Sequence, residues 1–118
     1  MQMINKEALE SNGYMYYKVD EGEFCLGMWQ KVVRTPGDLK AYFINVRLWQ
    51  FPQPYNPVHP IQRSDATVTF YKRLDTLDVN HDMFKVELDA DKMSLMAVED
   101  FFATMYDAMN CVPDIHNN

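Results

Sequence analysis

No apolar run in this 118-residue chain approaches the roughly 18 residues that a membrane-spanning helix needs, so no membrane-spanning helix is expected in it. Glycine is scarce as well. Four glycines form neither a G-x-G-x-x-G pattern nor a phosphate-cradling loop, so nucleotide binding of those kinds is not expected. The three histidines, His59, His81 and His116, have no neighbour at metal-ligand spacing, and the two cysteines, Cys25 and Cys111, form no C-x-x-C. No metal or cofactor is expected. The serines, Ser11, Ser64 and Ser94, lack the G-x-S-x-G setting of a nucleophile, and no base lies next to Cys25 in sequence. The chain therefore carries no recognisable catalytic apparatus, and a non-catalytic protein is expected.

Cationic residues are also few: eleven Lys and Arg against seventeen Asp and Glu, a net charge of −6. The imbalance is local. Residues 1–74 hold nine cationic and seven anionic side chains, whereas residues 75–118 hold two and ten. Such an acidic lobe repels phosphate backbones and steers basic partners. The first eleven residues, with Lys6, Glu7 and Glu10, contain no apolar leader segment. A cytoplasmic location is expected, with both cysteines as free thiols.

What is present suits one folded domain over residues 1–118, with a polar, disordered tail at 114–118. The apolar fraction is 47% and the charged fraction 24%, both near the average for globular chains. At this length no disulfide or metal is needed to stabilise a core.

The periodicity predicts a short helix over Ile4–Ser11, capped by Asn5 and broken by Asn12-Gly13. Five strands follow: Tyr14–Val19, Phe24–Val33, Leu39–Phe51, Ala66–Leu74 and Met83–Leu88. Arg34-Thr35-Pro36-Gly37-Asp38 reads as the turn of a hairpin between the second and third. The proline-rich stretch from Phe51 to Ile61 reads as a surface loop. Ser94–Asn110 is the best helix, with Ser94 as cap. Leu95, Val98, Phe101, Phe102, Met105, Tyr106 and Met109 make its apolar stripe, and Glu99, Asp100 and Asp107 an opposite acidic face. These elements give a two-layer α+β domain: a mostly antiparallel sheet of about five strands with the long C-terminal helix packed on one face.

Asp78-Val79-Asn80-His81-Asp82 resembles the start of a calcium loop, and Asp89 falls at its twelfth position. The pattern then fails, because Met83 stands where the turn needs Gly and the twelfth ligand is normally Glu. A turn held by its own Asp and Asn side chains is the expectation here.

One helix covers only one face of such a sheet. In the third strand Tyr42, Ile44, Val46 and Leu48 form the natural core face. The second face then holds Phe43, Arg47 and Trp49, with Thr67, Thr69, Tyr71 and Arg73 from the fourth strand, and Trp29 if the register brings it there. Either the N-terminal helix or the proline loop folds over these residues, or they form an interaction surface, since Trp, Tyr and Arg dominate binding hot spots.

Three functions fit. The first is an intracellular protein-interaction module, such as a small acidic inhibitor or accessory protein acting on a basic partner, or a homodimer through the sheet. In general style the chain resembles the small acidic accessory proteins of bacteriophages and the immunity proteins of toxin systems, although no motif ties it to either. The second is a single-stranded nucleic-acid binder that stacks bases on the aromatic and Arg face, which the net charge opposes. The third is a small ligand-binding protein or enzyme with a pocket between helix and sheet, lined by some of its nine methionines. The first is the expectation.

Overall fold

The computed structural model describes residues 4–35, 38–55, 58–74 and 79–111, with the backbone alone described at 35, 38–41, 70–74, 79–84 and 109–111. The elements are α1 (Lys6–Ser11), β1 (Met15–Tyr17), β2 (Cys25–Thr35), β3 (Asp38–Phe51), β4 (Ile61–Leu74), β5 (Val79–Asp89) and α2 (Leu95–Cys111). The strands form one antiparallel meander in chain order, β1-β2-β3-β4-β5. The α+β class expected from the sequence is the one observed.

Local chemistry sets both helices. Asn5 Oδ1 accepts the Ala8 N–H at 2.8 Å and so caps α1. At its other end Gly13 takes φ 87°, a value that favours glycine. The Gly13 N–H then donates to Glu10 O at 3.3 Å and the Tyr14 N–H to Leu9 O at 3.1 Å, the two bonds of a Schellman stop. Tyr14 is thereby delivered into the core beside Leu9. Ser94 caps α2 in the same way, its Oγ accepting the Ala97 N–H at 3.1 Å.

The register decides which residues face the helices. Trp29, Lys31 and Val33 of β2 lie opposite Val46, Ile44 and Tyr42 of β3, which lie in turn opposite Ala66, Val68 and Phe70 of β4. Ile4 and Leu9, from the α1 segment, share one core cluster with Trp29, the β3 and β4 residues, and Leu95, Val98 and Phe102 of α2. Both helices therefore pack on the same face.

Several expectations need correction. Strand β4 begins at Ile61, five residues before Ala66, because β3 offers partners from Phe51↔Ile61 onward. Ladder pairing overrides the weak strand preference of Gln62-Arg63-Ser64-Asp65. Strand β5 begins at Val79, so Val79 to Asp82 belong to a strand where a turn was expected. Phe101 is 43% exposed, at the margin of the α2 stripe. The tail at 114–118 lies outside the described residues.

Candidate interaction surfaces

Because α1 joins α2, neither helix covers the second face. In the described part of the proline loop Tyr55, Val58 and His59 are exposed to solvent. Cross-strand pairing arranges the open face in rows. Met28, Arg47, Asp65 and Asp89 form one; Gln30, Asn45, Thr67 and Glu87 the next; Val32, Phe43, Thr69 and Lys85 a third. Tyr17 and Met15 extend the first two rows onto the edge strand β1.

Phe43, Arg47 and Trp49 thus stand on this face as the alternation required, each half-buried, across from Thr69, Asp65 and Arg63. Trp29 does not join them. Its place opposite Val46 puts it on the helix-covered face, where it is 3% exposed. The backbones of Tyr71 and Arg73 continue β4, but their side chains lie outside the described residues.

Arg47 organises the centre of the face. Its Nε and Nη2 donate to the two carboxylate oxygens of Asp65 at 3.2 and 2.9 Å. Its Nη1 lies 3.1 Å from Glu21, and its guanidinium carbon sits 5.0 Å from the centre of the Trp49 ring. The hydrogen bonds that Arg47 donates to Asp65 hold its guanidinium above its usual range, with burial acting in the opposite direction. One row away, Gln30 Nε2 donates to Asn45 Oδ1 at 2.9 Å. Arg63 is paired with Asp91. The charges of Arg47 and Arg63 are therefore met from within, and Arg47 serves as a rigid, ring-stacked plate more than as a bare cation.

A bulge interrupts β2 at Leu26. Gly27 pairs with Leu48, but Cys25 pairs with Trp49, so the chain changes faces in one step. Gly27 takes φ 144°, and a Cβ there would collide with the Tyr16 ring that lies across it. That ring packs 5.1 Å from Trp29.

The same end of the sheet forms a groove beneath α1. Its volume is about 500 Å³, and Ile4, Tyr16, Leu26, Trp29, Leu48 and Ser64 are among its lining residues. Two polar atoms among these residues, Trp29 Nε1 and Ser64 Oγ, are buried without a hydrogen-bond partner. Sequence reasoning missed this groove. Ser64 fell before the expected start of its strand, and the Leu26 bulge carries no motif.

The acidic face of α2 is smaller than helix periodicity implied. Asp100 and Asp107 are exposed, but Glu99 turns to the sheet and meets Lys31 Nζ at 2.9 Å. The Lys31 ammonium also sits 5.4 Å from the centre of the Tyr14 ring. Burial, and secondarily the charge of Glu99, pushes the Tyr14 hydroxyl far above its usual range. Burial raises Tyr42 too, assisted by Asp107 and Glu99.

Among the described residues no group of three or more His, Cys, Asp or Glu is placed to hold a metal. None of their helices is long and apolar enough to cross a membrane. No protein-family profile matches the chain, and no curated protein or solved structure is detectably similar to it.

Proposed function

We propose that the protein is a non-catalytic interaction module that engages a protein partner through the open face of its sheet, in the manner of a small acidic inhibitor or accessory protein. The observation that carries this reading is the Arg47–Trp49 pair, held in one geometry by Asp65 and Glu21 on a face that neither helix covers. A preorganised Arg and Trp lose little side-chain freedom on binding, which is what a hot spot needs.

Apolar contact surface surrounds it. Met15, Tyr17, Phe24 and Ile61 are exposed on or beside this face. The partner is basic in this reading, because the net charge is −6 and residues 75–118 hold ten acids against two cations. A second copy of the chain is the other partner that an open sheet face suits. Nucleic acid is the weaker fit, because Asp65, Glu21 and Asp91 already neutralise the arginines that would meet phosphates.

The test begins with solution mass across protein concentrations. Capture from the native cell follows, with wild type, Trp49→Ala and Arg47→Ala. The expected result is a partner, or a dimer, that wild type holds and both folded variants lose. A monomer from which neither variant removes any partner would end this reading.

A further inference from the structure

The groove beneath α1 has the marks of a second binding site, which meets the sheet face only at its edge, where Trp49 and Arg63 line it. Its volume of about 500 Å³ lies within the range of small-molecule sites. Its wall is mostly apolar: Ile4, Leu26 and Leu48, with the rings of Tyr16, Trp29 and Trp49. Trp29 and Ser64 are 3% and 4% exposed, and Trp29 Nε1 and Ser64 Oγ have no hydrogen-bond partner among the described residues. A buried donor without a partner is costly and uncommon. Two of them bordering one groove mark places where a ligand can supply what the chain does not.

The donor set restricts the ligand. An indole N–H can only donate, so the ligand must bring an acceptor. A serine hydroxyl takes either kind of partner. The ring walls favour a flat body. Among the lining residues Glu7 and Glu10 outnumber Lys6, and Arg63 is engaged by Asp91, so no net positive charge is offered to a phosphate or carboxylate.

Tyr16 lines one side of the groove. This ring belongs to β1, an edge strand of three residues that pairs only with β2. It is half exposed and rests across Gly27 where no Cβ intervenes.

We propose that this groove binds a neutral aromatic or heteroaromatic small molecule, whose carbonyl or ring-nitrogen acceptor takes the Trp29 N–H and whose second polar group meets Ser64. The Tyr16 ring closes over it.

Nile red, a neutral fused-ring dye with a carbonyl acceptor, is a suitable probe for the whole protein. The expected result is saturable binding at one site, with enhanced dye emission. Ser64→Ala raises the Kd roughly 3–10-fold, the effect of one hydrogen bond, while the thermal midpoint of the ligand-free variant stays level or rises. Gln62→Trp, which places bulk at the exposed groove mouth, abolishes binding. Phe43→Ala, on the open face and away from the groove lining, leaves it intact, which separates this site from the sheet-face reading. Non-saturable binding, or a Kd unchanged in both Ser64→Ala and Gln62→Trp, would overturn the proposal by assigning the dye to the general apolar surface. Loss in Phe43→Ala alone would move the site to the sheet and overturn it equally.

Discussion

Arg47 and Asp65 face each other directly across β3 and β4 and are joined by two hydrogen bonds, at 3.2 and 2.9 Å, in a planar fork. The side chains are 26% and 28% exposed, so solvent still screens part of the attraction. The pair holds the guanidinium over Trp49 and fixes the shape of the open face. A double-mutant cycle of Arg47→Ala and Asp65→Ala should give a coupling of about 0.5–1 kcal/mol in urea unfolding. A coupling near zero would mean that the fork is not formed in solution. Partner binding should respond more strongly than stability, because Asp65→Ala frees Arg47 to leave the Trp49 ring.

Phe101 and Phe102 are adjacent, pack edge to face at 5.7 Å, and differ in what they touch. Phe102 has no exposed surface and belongs to the core cluster, whereas Phe101 lies at the margin. Phe102→Ala should destabilise by about 3–5 kcal/mol, through lost burial and the cavity left behind. Phe101→Ala should cost about 1 kcal/mol or less. Chemical denaturation of both variants checks this. Equal losses would contradict the orientation of α2 on the sheet.

Tyr14 predicts an alkaline limit. Burial raises its hydroxyl far above the ordinary value of 10.0, so the folded state keeps a proton that the unfolded state releases. Below pH 10 this contribution is fully present. Above it the contribution is lost as pH rises toward the folded value, since the unfolded chain then binds fewer protons. Tyr42 is shifted in the same direction and adds to the loss. Thermal midpoints should therefore hold level from pH 8 toward 10 and fall above it, less steeply in Tyr14→Phe. Parallel curves for the two proteins would show that Tyr14 ionises freely in the folded state.

Alternation along β3 was legible because each residue in it obeys one rule: Tyr42, Ile44, Val46 and Leu48 are buried, and Phe43, Arg47 and Trp49 face away. In β2 the parity was equally readable. Which set turned inward depended on pairing with β3, and a one-residue slip exchanges the faces. Trp29 therefore could not be placed from its own strand. The Leu26 bulge compounds this by putting Cys25 on the face opposite to Gly27. Glu99 failed for a related reason. It borders the apolar stripe, one step from Val98, and only a cation on the sheet decides whether it turns in. Lys31, 68 residues earlier, is that cation.

The acidic face of α2 can now be tested without disturbing the fold. Asp100 and Asp107 are exposed, whereas Glu99 ties α2 to β2 through Lys31. Asp100→Asn with Asp107→Asn should leave stability within about 0.5 kcal/mol. Glu99→Gln should cost about 0.5–1 kcal/mol through the lost ion pair. If the helix steers a basic partner, the double variant should associate several-fold more slowly at low salt, with little change in dissociation rate. The difference should shrink as salt shortens the screening length to roughly 8 Å near physiological strength. Stopped-flow association at two salt concentrations separates the cases. An on-rate that does not respond to the two neutralisations would leave Asp100 and Asp107 as a solubilising surface and place recognition wholly on the sheet.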